Sequence, residues 1–481
     1  MKRRTTSLGL SVTAAGAVAA IVLARRSRGS VRTARNLETA RMGARVGAGW
    51  AAHQARRVFV TAERREALDA EYELKSAEEV AAALGNMKGV MMKFGQMLSY
   101  VDENVPEPVR DALAGLQQDA PPMAAELAAS VIERELGAPP EKVFAEWDPV
   151  PIAAASIGQV HRAITHDDVA VAVKVQYPGV DEAIKADLDN YDFFASLAAM
   201  LFPGAEIGPF LDEIRERINE ELDYRLEAAN QQLFYDYYEG HPFIRIPRVI
   251  HELSTERVLT TELHTGARFA ELDSWSQEER DLAGETIDRF VFRSLYRLHA
   301  FNGDPHPGNY LFHGGGVVTF LDFGLVKRFT PAEMDMFERM AEAIVVKRDG
   351  RAYRALLQEA GVLKPGAAFD DDELIDYFGY YYDPVMEDGE YTFTTAYASE
   401  AMKKILPIGP EASEQIRKFG NLPPSFAILQ RINLGMTAVM AHLGATGNFR
   451  RISEEMWVFT SGPPSTEMGE KEAAWLAGRA G

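Results

Sequence analysis

Three oxygen-bearing side chains at fixed separations constrain this chain more than any other feature. Asp304 lies in Gly303-Asp304-Pro305-His306-Pro307-Gly308-Asn309, Asn309 follows it by five residues, and Asp322 of Leu321-Asp322-Phe323-Gly324 comes thirteen residues later. Oxygen donors of this kind suit a hard cation such as Mg²⁺. Between them, Tyr310-Leu311-Phe312 predicts a strand, His313-Gly314-Gly315-Gly316 a turn, and Val317 to Leu321 the return strand. Such a hairpin brings Asn309 and Asp322 to the same end. Taken singly, each element is weak, because a lone Asp-Phe-Gly arises by chance and Gly-Asp-Pro is more often a turn. The order and spacing of the set carry the inference.

A second set lies upstream. Val169 to Gln176 alternates small and β-branched residues and places one lysine, Lys174, on a buried strand. A lone lysine at a strand end is usually a solvated one, but an ammonium held there by an acidic partner can pair with phosphates. One strand earlier, Pro151 to Ala163 is rich in alanine at Ala153, Ala154 and Ala155, with Ser156 following. Alanine takes positive φ less cheaply than glycine, so a loop built from it is stiff.

The joint pattern matches the catalytic series of the protein-kinase-like fold. Four motifs in order then resemble the UbiB-type atypical kinase family, which is associated with ubiquinone and other isoprenoid-lipid metabolism. They are Met92-Lys93-Phe94-Gly95-Gln96, the alanine-rich loop, the run Glu221 to Asn230, and the Asp-Pro-His-Pro-Gly-Asn loop. The resemblance is specific from about Ala81 to Thr330 and weaker to about Thr460. It implies an α+β, bilobal fold with an N-terminal helical extension and a largely helical C-lobe. It implies ATP and Mg²⁺ as cofactors, with Asp304 orienting the attacking group and Asn309 and Asp322 holding the metal. Lys93 and Gln96 match a Lys-x-Gly-Gln segment that folds over the nucleotide pocket. Ala153, Ala154, Ala155 and Ser156 match the phosphate loop, and Lys174 matches the ATP lysine.

Glu221 and Asp223 match the family's Glu-x-Asp motif, and Glu227 lies further along the same predicted helix, Phe210 to Tyr235. Glu221 and Glu227 are six apart and face different sides of that helix. Glu227 is favoured for Lys174, with Glu221 the alternative. Arg257 to Leu263 reads as the strand entering the hinge, with adenine contacts from backbone groups near Glu262 and Leu263 and a small Thr261 at the back. Asn302-Gly303 departs from the family's more usual His-Ala, and no metal ligand is expected to be affected. His306 is expected to bond backbone near the Asp-Phe-Gly turn rather than to act as a base. Asp370 to Glu373 reads as a favourable helix start, with a cation site as the rival.

Charge adds an address. The chain carries a net −20, which argues against general nucleic-acid binding. Residues 1 to 65 hold 14 Lys/Arg against 2 Asp/Glu, so a head of +12 precedes a body of −32. A basic head suits an anionic membrane surface. Leu8 to Ala24 is uncharged, about seventeen residues long and flanked by arginines, which is the short limit for a spanning helix. The expected localisation is a single N-terminal span or anchor with a cytoplasmic body. A cleaved signal ending near Ala17-Val18-Ala19, after the twin arginine Arg3-Arg4, is the rival. Gly9, Ala15, Gly16 and Ala20 would let two such helices approach, which suggests a homodimer.

With no cysteine, disulfides and thiolate chemistry are excluded. The expected divisions are 1–30 anchor, 31–150 helical extension, 151–265 N-lobe, 266–460 C-lobe and 461–481 mobile tail. The expected partners are ATP, a membrane lipid or isoprenoid or quinone precursor, and quinone-biosynthesis proteins. A pseudokinase scaffold and a small-molecule kinase are the alternatives.

Overall fold

Val171, Val173 and Val175 point to one face of a strand and are completely buried, which contributes on the order of 1.5–3 kcal/mol apiece. They belong to a computed structural model that describes residues 124–155, 157–181, 220, 222–302, 306–366, 370–405, 423–460 and 462–479. The predicted anchor, the Lys-x-Gly-Gln segment and the helices between them lie outside the described residues. Their strand, β4 (Ala170–Gln176), is central in a five-stranded antiparallel sheet. The sheet also contains β1 (Glu146–Trp147), β2 (Ala153–Ala155), β3 (Gly158–Ile164) and β6 (Val258–Glu262). The order is β1-β3-β4-β6, with β2 also on β3. Helix α1 (Ala125–Leu136) covers the valine face with Val131 and Ile132.

Helix α2 (Tyr224–Tyr238) follows the sheet's fourth strand in sequence and precedes the fifth. The predicted continuous helix from Phe210 to Tyr235 is corrected here. The helix starts at Tyr224 because Asp223, extended, caps it by accepting from the Arg225 amide at 3.0 Å. Asp223 is therefore outside the helix that carries Glu227.

The remainder is mainly helical. Ser276 caps α3 (Gln277–Arg293), which continues through a π turn (Ser294–Leu298) to His299, where positive φ ends it. Short strands β5 (Ile244–Arg245), β8 (Tyr310–Phe312) and β9 (Val318–Phe320) form one small sheet. Strands β7 (Ala300–Asn302) and β10 (Val326–Arg328) form another. Then come α4 (Pro331–Ala341), α5 (Gly350–Glu359), α6 (Asp371–Phe378), α7 (Thr395–Ile405), α8 (Pro424–Leu443) and α9 (Phe449–Met456). Asp370 and Glu373 form a reciprocal capping box on α6 and Asp371 pairs with Arg354 at 3.0 Å, so the acidic run is a helix start. No cluster of acidic and histidine groups able to hold a metal occurs among the described residues.

The expected mobile tail is also corrected. Glu467–Arg479 forms helix α10, and its Glu472 is buried between two arginines of α3. Arg289 approaches it at 2.8 Å and Arg293 at 2.6 Å, while His241 reaches it at 3.2 Å. Trp475 lies 4.5 Å from the His241 ring. Composition hid this, because Gly, Pro and Glu near a terminus suggest solvent, whereas the arginines that need the glutamate are some 180 residues away in sequence.

Burial would raise the Glu472 pKa, but His241, Arg293 and Arg289 outweigh it and hold the carboxyl at about 2. Since the folded value is depressed, this stabilisation is complete above the ordinary value near 4.5 and fades as pH falls towards 2. Removing one partner of a buried ion network costs about 3–5 kcal/mol. Urea unfolding of Glu472→Ala at pH 6 should show a loss of that size, with the gap from the parent narrowing at pH 3. A loss below about 1 kcal/mol at pH 6 would mean that the helix is not docked through this residue.

Candidate functional site

The register of the sheet places Lys174 opposite Val160 of β3 on one side and Leu259 of β6 on the other. Val160 in turn faces Ala153. The alanine run is thus an edge strand paired with β3 rather than an open loop, with Ala155 opposite Gly158. Glycine is required at 158, because a Cβ there would lie 2.2 Å from the Val175 carbonyl oxygen.

The Lys174 ammonium lies 2.8 Å from both carboxylate oxygens of Glu227 and 3.8 Å from Asp322 Oδ2. It also lies 5.0 Å from the centre of the Tyr224 ring, within cation–π range. Burial alone would lower the lysine pKa. Glu227 first and Asp322 second outweigh that, and the ammonium is held well above its ordinary value. A permanent cation therefore sits beside a carboxylate that remains about one-third exposed.

Helix α2 presents its contacts at helical spacing. Glu227 reaches Lys174, Asn230 donates to the Phe323 carbonyl at 3.3 Å, and Phe234 packs 4.9 Å from the Phe323 ring. One helical face thus touches both the lysine strand and the Asp-Phe-Gly turn. Asp322 Oδ1 accepts from the Gly324 amide at 2.9 Å, which closes that turn. The hairpin β8–β9 joins Asn309 to the same end, since the Leu321 amide donates to the Asn309 carbonyl at 3.0 Å.

Several expectations about neighbours change. Asn302 does touch Asp322, because its side-chain amide donates to the Asp322 carbonyl. His306 bonds within its own turn, accepting from the Gly308 amide at 3.0 Å, rather than at the Asp-Phe-Gly turn. The Glu262 amide is donated to Arg248 and the Leu263 amide to Ala170, each at 2.9 Å. Amide donors for an adenine therefore begin no earlier than His264. Lys93, Gln96, Ser156, Glu221 and Asp304 lie outside the described residues. Sequence alone assigns no site role to Tyr224 or Asn302. Tyr224 was detectable as an aromatic within the Glu-x-Asp run, whereas Asn302 stood out only as a departure from the family.

Residues 115–356 match the model of the ABC1 atypical kinase-like domain. The chain belongs to that family. Among its relatives, Atypical kinase COQ8B, mitochondrial, of Rattus norvegicus is 31% identical over 339 residues, covering 69% of this chain and 63% of the relative. The Marinobacter nauticus protein named Probable protein kinase UbiB is 30% identical over 310 residues, covering 62% and 56%. The match thus spans less than two thirds of each of these relatives. A solved structure, the complex of Rv3197 with erythromycin from Mycobacterium tuberculosis, is similar with a TM-score of 0.58 at 32% identity. That match covers 82% of this chain and 98% of the other. The kinase-like fold and the atypical-kinase membership expected from the motifs are thereby shown. No helix among the described residues is long and apolar enough to cross a membrane.

Asn302 is buried, so truncating it leaves the Asp322 carbonyl without its donor. Asn302→Ala should cost about 1–3 kcal/mol in urea unfolding. An unchanged midpoint would show that the amide does not hold the turn.

Proposed function

We propose that the chain binds Mg-ATP and couples phosphoryl transfer or ATP hydrolysis to quinone or other isoprenoid-lipid metabolism at a membrane. The observation that carries this reading is the buried Lys174–Glu227 pair with Asp322 3.8 Å from the same ammonium. Structural ion pairs are common, but this one leaves a carboxylate partly open beside a fixed cation. That arrangement suits a polyphosphate bound through a divalent metal. In this reading Lys174 pairs with the phosphates and Glu227 positions it. Tyr224 and the helix face behind it keep the ammonium from turning away.

Asn309 and Asp322 offer only oxygen ligands, which fit Mg²⁺ and not a soft metal. The metal would neutralise phosphate charge. Asp304, five residues before Asn309, would orient the acceptor. The alanine strand at Ala153–Ala155 would lie over the phosphates, and hinge carbonyls near Glu262 and Leu263 with amides from His264 on would meet the base. The basic head of the chain supports a membrane address, and the family resemblance supports the lipid class.

The test is Mg²⁺-dependent ATP turnover by the full chain, with and without vesicles carrying anionic lipid. Turnover should rise with the vesicles and fall by about 100-fold or more in Asp322→Asn and Lys174→Met. Nucleotide binding without turnover in either condition would replace the enzyme with a nucleotide-binding scaffold.

A further inference from the structure

The helical part of the protein encloses a second feature, remote in sequence from the lysine strand. It is a cavity of about 110 Å³ between α3, α4, α5, α8 and α9. Eleven of its twenty-four lining residues are aromatic, so much of the wall presents the electron-rich faces of rings. Among the described residues one charged side chain lines it, Asp288 of α3. Asp288 is only 2% exposed, and its Oδ2 has no hydrogen-bond partner. Gln430 Oε1 of α8, on the same cavity, also has none.

Three of the nearby donor side chains are committed elsewhere. The neighbouring Arg289 directs its nitrogens to Glu285, Glu455, Glu472 and Thr466. The Tyr353 hydroxyl donates to the Phe378 carbonyl at 3.0 Å, and the Tyr381 hydroxyl to the Ala401 carbonyl at 3.1 Å. Buried polar atoms are nearly always partnered, and two unpartnered oxygens on one cavity call for a ligand that donates.

We propose that this cavity binds a protonated organic amine carried on a small apolar body. The ammonium donates to Asp288 and Gln430, the aromatic wall stabilises its charge, and the apolar body fills the rest. An anionic ligand would keep Asp288 protonated and neutral, and so would gain nothing from the charge of the acid. A neutral alcohol would satisfy one oxygen but draw nothing from the charge of Asp288.

Proton linkage gives the site a signature. Burial raises the Asp288 carboxyl to about 8, with Arg289 pulling it back and Glu285 adding to the rise. Those two residues are on its own helix. The other polar groups on the wall are the phenols of Tyr296, Tyr353, Tyr381 and Tyr382. Beyond Gln430 the described lining adds Asn433, Thr437 and Ser453, and Glu338 of α4 acts on the Tyr296 phenol that also feels Asp288. Without a cation beside it the acid holds its proton at pH 7, and a cation that binds to the carboxylate releases that proton.

Calorimetric titration of the full chain with benzylamine and with benzyl alcohol tests this. Benzylamine should bind at least tenfold more tightly than the alcohol. Its affinity should rise by close to tenfold per pH unit between 6 and 7.5, with about one proton released per amine at pH 7. Asp288→Asn, nearly isosteric with the neutral acid, should keep the circular dichroism of the parent while losing the preference and the pH dependence. Gln430→Leu should weaken benzylamine while leaving its pH dependence in place. Saturating Mg-ATP should not displace the amine. The proposal is wrong if the alcohol binds as tightly, if neither compound binds, if no proton is released, or if ATP competes.

Discussion

The pairing of Lys174 with Glu227 is the constraint on which the rest of the candidate site depends. A lysine on the central strand of a buried sheet loses its water and keeps its charge only if a carboxylate comes to it. Glu227 is supplied by a helix that must therefore lie against the sheet at one rotation. Asp223 sets where that helix begins, and Gln176, two residues beyond Lys174, donates to the Leu222 carbonyl at 2.9 Å just before it. With the start and rotation fixed, Asn230 and Phe234 fall on the Asp-Phe-Gly turn. One ion pair thus determines where Asp322 sits relative to the lysine.

The helical part uses a different device for a similar end. Helix α3 carries Arg289 and Arg293 on the side that meets α10, and both are satisfied by Glu472. The same helix passes through its π turn into β7, whose last residue, Asn302, holds the Asp322 backbone. Buried polar groups are therefore satisfied at two places along one continuous stretch, the arginines by a terminal helix and the Asn302 amide by the backbone of the turn. The tail is part of the packing that supports α3 and not an appendage to it.

Local pattern made much of this legible. The alternation at Val169–Gln176, the hairpin signal between Asn309 and Asp322, and Ser276 as a cap each depend on residues close in sequence, and each appears within a residue or two. The parts that were not legible rest on distant partners. Glu472 looks solvated until Arg289 and Arg293 are brought to it. The helix read from Phe210 hid its break because one Asp inside a helical pattern reads as a solvated side chain; Asp223 shows itself as the cap of a new helix only once it accepts from the Arg225 amide. Alanine suggested a stiff loop, and the hairpin realises that stiffness as strand pairing, a state that propensity alone does not favour for alanine.

Asp288 and Arg289, adjacent on α3, show why burial by itself does not mark a site. Both are almost fully enclosed and both are ionisable. Arg289 points to one side of the helix and meets three carboxylates, so its charge is consumed by the fold. Asp288, turned about 100° around the same helix, shares a cavity with rings and an amide, and its Oδ2 finds no donor. A chain selected only for stability would place an apolar residue at 288, since burying a polar group without a partner costs free energy that a hydrophobe of similar volume does not. The acid is out of place for packing and well placed for a cation arriving from outside.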